Sequence, residues 1–316
     1  LILFTADIHI KIGAKNIPKP WAINRYKLYI EQIREIEKQC SLHIMGGDIF
    51  DRTPNLEELE VYFQLINDAK VKTICYDGNH EASKKNNTFL SLLTAVSGSV
   101  NNNVEIVTST KEYDRFTILP YADLHVLGSI EKCNKNKALF THVRGEIPPH
   151  VKPEVELNRF DGFPIVYAGD LHSHSNCQRN IVYPGSPMTT SFHRNLVETG
   201  YILIDENDLT KWTWHQFELP QLIRKTVTDP AEMIETGYHR TIYELEGDMK
   251  ELGAAKIVNK ELLDKKIVKR HTESQLDLTN KSLVEGLDLY LRKVLALSEP
   301  DIAEVLGEFN ALHAEA

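Results

Sequence analysis

The sequence predicts an α/β fold in which strands and helices alternate and a ligand site forms at the strand ends. Two observations lead there. Short apolar, β-branched runs recur: Leu1-Ile2-Leu3-Phe4, Leu42-His43-Ile44-Met45, Val71-Lys72-Thr73-Ile74-Cys75, Ala138-Leu139-Phe140 and Ile165-Val166-Tyr167-Ala168. Bounded by glycine or polar residues, such runs read as buried strands. Each is soon followed by a polar cluster: Asp7-Ile8-His9, Gly47-Asp48-Ile49-Phe50-Asp51-Arg52, Gly78-Asn79-His80-Glu81, Thr141-His142 and Gly169-Asp170-Leu171-His172. Open α/β sheets bind ligands outside the carboxyl ends of their strands, so the clusters are expected to converge.

Over residues 1–107 strand alternates with helix. Asn24 reads as the N-cap of a helix over 24–39 that turns Tyr26, Ile30, Ile33 and Ile36 to the sheet. A second helix is expected over 56–69, with Leu59, Phe63 and Ile66 on one face, and a third over 87–96. Strands dominate next, at 115–119, 137–141 and 164–168, then at 180–183, 200–204 and 211–217. Pro220 marks a boundary, after which 223–227 and 240–245 read as strands of a smaller α+β unit. The basic stretch 262–270, with Lys265, Lys266, Lys269 and Arg270 and with Lys260 nearby, reads as a solvated helix face; DNA contact is its functional alternative. Leu283, Leu287, Leu291 and Val294 share one helical face, Ser298-Glu299-Pro300 interrupts it, and Ile302, Val305, Leu306, Phe309 and Leu312 form a second stripe. This is a terminal helical hairpin, which packs on its own domain or docks onto a partner helix. Three parts follow: 1–219, 220–278 and 279–316.

With 316 residues, 42% of them hydrophobic, the chain can bury one large core and a smaller one. No apolar stretch approaches the roughly 20 residues that span a bilayer. The opening Leu1-Ile2-Leu3-Phe4-Thr5-Ala6 lacks the basic flank of a signal peptide. Cys40, Cys75, Cys133 and Cys177 are scattered, as expected of free thiols in a reducing cytoplasm. The net charge of −9 argues against an autonomous, tight DNA binder. It leaves room for an enzyme that meets phosphates through bound cations.

Asp, Asn and His side chains together suit hard to borderline divalent cations such as Mn²⁺. A single His or Asp after a strand is usually a cap or a surface group. A whole set of them buried together is costly without a cation to neutralise it. The order Asp-x-His, Gly-Asp-x-x-Asp-Arg, Gly-Asn-His-Glu, a lone His, then Gly-x-x-His resembles the motif ladder of the calcineurin-like metallophosphoesterases. Within that superfamily the chain most resembles the SbcD-type recombination nucleases, those of T4-like bacteriophages above all. Tyr183-Pro184-Gly185-Ser186-Pro187 and the final hairpin, ending Ala314-Glu315-Ala316, add to the likeness.

The resemblance implies a β-sandwich flanked by helices, a small α+β capping domain and a C-terminal hairpin that binds a partner ATPase. It implies two divalent ions, Mn²⁺ first and Mg²⁺ or Fe²⁺ as alternatives, which in such sites clamp the scissile phosphate and activate a water. Asp7 and His9 would hold the first ion and Asp48 would bridge both. Asn79 and His142 would hold the second, and His172 would return to the first. Asp170 stands where the family has a histidine on the second ion; an alternative register pairs His172 with His174. His80 would stabilise the transition state or protonate the leaving oxygen. Asp51 and Glu81 would orient ligands, and Arg52 would contact phosphate or lock Asp51. His43, His125, His150, His193, His215, His239, His271 and His313 receive no role.

The function so implied is a Mn²⁺-dependent exonuclease, with endonuclease activity as a further expectation, acting on DNA ends with an SbcC-type coiled-coil ATPase in recombination and repair. Its setting would be the cytoplasm, that of a bacterial host for a phage chain, with no membrane. A homodimer within a heterotetramer is expected, built from the first helices and offering Leu59, Tyr62 and Phe63. Two alternatives stay open. One is a phosphatase or phosphodiesterase on a small phosphoester; the other is a catalytically weak scaffold for DNA or an ATPase.

Overall fold

The computed structural model describes residues 1–84, 87–268, 276, 278 and 281–314. In chain order the first elements are β1 (Ile2–Thr5), α1 (Lys19–Glu37), β2 (Leu42–Gly46), α2 (Leu56–Asn67), β3 (Lys72–Tyr76), the short β4 (Ala82–Lys84) and β5 (Asn87–Thr88), α3 (Leu90–Val100) and β6 (Val104–Val107). Next come β7 (Lys111–Glu112), β8 (Phe116–Leu119), α4 (Tyr121–Leu124), α5 (Ser129–Lys132), β9 (Ala138–His142), β10 (Val166–Gly169) and β11 (Ile181–Val182). The rest are β12 (Gly200–Ile204), β13 (Trp212–Gln216), β14 (Leu222–Val227), β15 (Arg240–Gly247), α6 (Met249–Ala254), β16 (Leu263–Val268), α7 (Leu283–Lys293) and α8 (Glu299–Ala314).

Two sheets lie face to face. One has six strands in the order β13-β12-β1-β2-β3-β6 and the other five in the order β11-β10-β9-β8-β7. Between them Phe4, Ile44, Ile74 and Ile202 meet Ile118, Phe140, Tyr167 and Val182. Phe4 sits edge-on to Phe140 at 5.3 Å between ring centroids. The outer face of the first sheet, through Leu3, Met45 and Cys75, takes Tyr26, Ile33, Tyr62 and Leu65 of α1 and α2. The outer face of the second takes Leu124 and Ile130 of α4 and α5. Strands buried on both faces read as near-continuous apolar runs. This is the expected α/β sandwich flanked by helices.

Helix starts differ from expectation where proline or pairing intervenes. α1 begins at Lys19, before Asn24, because Pro20 in the first turn costs no hydrogen bond there. Asn55 and Glu58 close a reciprocal capping box on α2. α3 starts at Leu90, since Asn87–Thr88 pairs as a strand with Ala82–Lys84. The stretch expected as a helix face is the strand β16 in the sheet order β14-β15-β16; Lys269 and Arg270 lie outside the described residues.

By compactness the chain divides into two units, Leu1–Leu245 with Lys256–Lys265, and Glu246–Ala255 with Lys266–Ala316. In the second unit α7 opens on a Ser282–Glu285 capping box. Leu291 and Ile302 are buried there, while Leu283, Val294 and Val305 are exposed. The side chain of Leu312 and the residues Glu315 and Ala316 fall outside the described part. Cys40, Cys75, Cys133 and Cys177 are free thiols. Among the described residues no helix is long and apolar enough to cross a membrane.

Candidate metal centre and active site

The carboxyl ends of β1, β2 and β3 from one sheet and of β9 and β10 from the other deliver the candidate side chains. Register aligns them, with Thr5 beside Met45, Gly46 beside Tyr76 and Gly169 beside His142. Backbone bonds carry the alignment past the strands: Asp7 N donates to Gly47 O at 3.1 Å and His9 N to Asp48 O at 2.9 Å. Asp7, His9, Asp48 and Asp170 all have positive φ, 58°, 48°, 49° and 102°. Such backbone costs of order 1–3 kcal/mol per non-glycine residue and collects at functional sites. Here it points consecutive side chains into one space. Gly78 completes the turn, because a Cβ there would strike Asp48 N at 2.5 Å and His142 Cε1 at 2.8 Å.

Three overlapping groups of donor atoms result: Asp7, His9 and His172; His9, Asp48 and His80; Asp7, Asp48 and His142, each within 4.8 Å of one another. His9 Nε2 faces His172 Nε2 at 3.0 Å and Asp48 Oδ2 at 3.5 Å. His142 Nε2 lies 3.5 Å from the same Asp48 oxygen. Asn79 Oδ1 sits 3.0 Å from His142 Nε2, and this end of the amide is 3.0 and 3.3 Å from the two Asp48 oxygens. Two of its neighbours there are carboxylate oxygens, which only accept. An amide nitrogen turned inward would satisfy them, and so would a shared cation with the oxygen as ligand. His9 Nδ1 is buried with no hydrogen-bond partner among the described residues. Two opposed imidazole nitrogens, a central carboxylate and an inward amide are the donor chemistry of a divalent cation site. The residues fit such ions.

Electrostatics agree. Burial pushes the Asp7 carboxyl up to about 7, against the pull of His142 and with help from Asp48. Burial opposes charge on His142 too, but the Asp48, Asp7 and Asp170 carboxylates hold its imidazole well above the usual range. Burial also works against the Asp48 carboxylate, and His142, His9 and His80 overcome it and hold it well below the usual range. These shifts favour positive charge at the centre, which a bound cation would supply in place of protons.

Around this centre sit the supports. Glu81 Oε2 accepts from Asp48 N at 3.0 Å and Gly78 N at 2.8 Å, and Oε1 from Phe50 N at 2.8 Å. One carboxyl thereby pins two loops. Burial and the Asp48 charge push it up to about 8, against those backbone donors. Asp51 lies 3.6 Å from His9 Nδ1 and takes Lys11 at 2.6 Å. Arg52 meets Glu58 at 2.9 Å and makes no described bond to Asp51. His80 Nδ1–H donates to the Asp51 carbonyl at 2.6 Å, leaving Nε2 at the open edge, 3.9 Å from Asp48 Oδ2.

Asp170 lies beside the compact groups. Its backbone N–H donates to Asp7 Oδ1 at 3.0 Å, and its carboxylate is 3.9 Å from His142 Nε2 and in contact with Arg144. His174 faces elsewhere, donating from Nδ1 to Tyr183 O at 2.7 Å and stacking on Trp214. The sequence did not single out Arg144, Lys11 or Thr190, and it placed Tyr26 only against the sheet. Tyr26 donates to His9 O at 3.0 Å, and Thr190 Oγ1 meets His172 Nδ1 at 3.2 Å. Ser186 of the Tyr-Pro-Gly-Ser-Pro loop donates to Asp7 O at 2.7 Å, with Gly185 at φ +78° against His172 O. Beside Asp51, Glu81 and Arg52, that loop was the sequence's signal for these supports.

Residues 1–162 match the family described as calcineurin-like phosphoesterase. The chain is 40% identical over 317 residues to a protein of Escherichia phage T5 named "Probable exonuclease subunit 1", covering 97% of this chain and 96% of that one. A solved structure, TT1561 of Thermus thermophilus, superposes with a TM-score of 0.42 at 12% identity, over 68% of this chain and 97% of that one. The chain belongs to the calcineurin-like phosphoesterase family.

Proposed function

We propose that this protein is the nuclease subunit of a phage recombination complex and hydrolyses phosphodiester bonds at DNA ends. The observation that carries the reading is the trio of donor groups that overlap on Asp7, His9 and Asp48, with His80 Nε2 at the open edge. The likeness to a protein named as an exonuclease subunit supports the choice of a polynucleotide over a small phosphoester. The net charge of −9 favours the small substrate, and that remains the second reading.

Asp7, His9, Asp48 and His172 would hold one divalent ion, and Asp48, Asn79, His142 and Asp170 a second, with Mn²⁺ preferred over Mg²⁺ or Fe²⁺. Such a pair supplies Lewis acidity toward phosphate and makes a hydroxide available near neutral pH. The protein's own part falls to His80. Its Nδ1 proton is committed to the Asp51 carbonyl, so an imidazolium there can give only its Nε2 proton. That proton would pass to the oxygen leaving phosphorus as the P–O bond breaks. Asp51 and Glu81 hold His9, Asp48 and the Gly78 turn in place.

The partners belong to the same proposal: DNA, a coiled-coil ATPase of the SbcC type and a second copy of the chain, in the host cytoplasm. Residues 1–219 would be catalytic, 220–278 would cap the site and touch DNA, and 279–316 would dock the ATPase. Exposed Leu283, Val294, Leu295 and Val305 support that last role. The test is Mn²⁺-dependent shortening of an end-labelled duplex, with Asp48→Ala and His80→Ala beside the wild type. Both variants should lose at least about a hundredfold in rate. A wild type that leaves DNA intact with the ATPase present, yet turns over a small phosphoester, overturns the nuclease reading.

A further inference from the structure

The candidate site is strongly acidic, and a phosphate approaching it needs cationic help from the protein. Lys11, Arg52 and Arg144 stand around it. Lys11 holds Asp51 at 2.6 Å and Arg52 holds Glu58 at 2.9 Å. Both separations are at or just below the about 2.7–2.9 Å of charge-assisted bonds. Each of these two pairs at short range with its carboxylate, Arg52 through Nη1. Arg144 is different: its Nε lies 3.2 Å from Asp170 Oδ2 and its Nη2 3.4 Å from Asp170 Oδ1, both long for such bonds. A guanidinium carries five N–H donors. Nη1 has no acceptor among the described residues, and 41% of the side chain is open to solvent.

The fold places this arm with care. β9 and β10 are parallel neighbours with His142 beside Gly169, and Val143 N donates to Gly169 O at 3.2 Å. Two steps past His142 the chain therefore sets Arg144 next to Asp170. Arg144 N donates to Glu154 Oε1 at 2.7 Å, and the other Glu154 oxygen accepts from Tyr121 at 3.0 Å. The backbone is anchored while the head group stays loosely held beside His142.

We propose that Arg144 is a substrate-contacting residue: Asp170 orients its guanidinium at the rim, and its free N–H groups grip a non-bridging oxygen of the substrate phosphate. This rests on the phosphoester reading above and adds the group that recognises the anion. Asp170 then also serves as the guanidinium's aiming point, a second use, beside metal binding, for a carboxylate where the family pattern has histidine.

The experiment is binding of thymidine 5′-monophosphate to the Mn²⁺-loaded protein by calorimetry, for wild type, Arg144→Gln and Arg144→Lys. Mn²⁺ binding to each is read in parallel by electron paramagnetic resonance. Loss of a charged hydrogen-bonding arm should weaken nucleotide binding at least about tenfold in Arg144→Gln. Arg144→Lys should recover part of it, keeping the charge and losing the fork. Mn²⁺ affinity should hold or tighten in Arg144→Gln, since a positive neighbour has gone. Unchanged nucleotide binding, no nucleotide binding by the wild type, or Mn²⁺ affinity falling in step with nucleotide affinity would each overturn the proposal; the last would mean that Arg144 only steadies Asp170. A wild type that binds the nucleotide through Arg144 but never cuts DNA would overturn the nuclease reading alone.

Discussion

At the scale of single residues, the site's chemistry lies in groups whose charge the surroundings decide. Glu81 faces three backbone N–H donors, so Glu81→Gln must turn its amide nitrogen against at least one of them. A melting curve should show a loss of about 1–3 kcal/mol. The raised carboxyls give a pH dependence with a definite sign. Asp7 moves from 3.8 to about 7 and Glu81 from 4.5 to about 8, both chiefly through burial, so the folded state keeps protons that the unfolded chain has released. His9 and His142, raised above 6.5, act in the same direction. His172, lowered to about 4 by burial and by His9, acts oppositely, but only below 6.5. Metal-free protein should therefore lose at least about 2 kcal/mol between pH 6.5 and 8. Saturating Mn²⁺ should flatten or reverse that slope, as cations take the places of protons. Thermal melts in chelator and in Mn²⁺ across the window check both. The types and order of Asp7, His9, Asp48, Asn79, His80, His142 and His172 were legible because each follows a strand. Arg144 was not, since its meaning comes from the β9–β10 register.

At the scale of elements, the sequence was read best where local chemistry decides and worst where pairing does. The Asn55–Glu58 box caps α2 so that it starts at Leu56, the expected first residue of that helix. Asn87, by contrast, looked helical and pairs instead with Lys84. The loop from Tyr183 to Pro187 stands out in the sequence only by resemblance; its physical role lies in two bonds. Ser186 N donates to His172 O at 3.1 Å while its hydroxyl reaches Asp7 O, so one residue braces two ligand-bearing turns. Ser186→Ala should lower stability by about 1 kcal/mol and weaken Mn²⁺ binding several-fold. Calorimetric titration reads the second effect; Mn²⁺ affinity equal to wild type would count against the brace.

At the scale of the whole molecule, the alternating runs announced a sandwich but not its strand order. β12, nearly two hundred residues downstream, returns antiparallel beside β1, with Ile204 opposite Ile2, and no local pattern foretells that partner. The centre of the sandwich is nevertheless testable through one ring. Phe140 is fully buried between the sheets, beside Phe4, Phe116 and Tyr167. Phe140→Ala should cost about 3–5 kcal/mol by chemical denaturation.

β1, β2 and β3 bring Asp7, His9, Asp48 and Asn79 from one sheet, while β9 and β10 bring His142 and His172 from the other. An ion held by both sets would be a rivet through the two plates of the sandwich. Its binding energy counts toward keeping the plates together, about 2.7 kcal/mol when free metal stands at a hundred times its dissociation constant. Starved of metal, the protein would lose more than its chemistry: the joint itself would slacken, and rigidity would track the supply of cations.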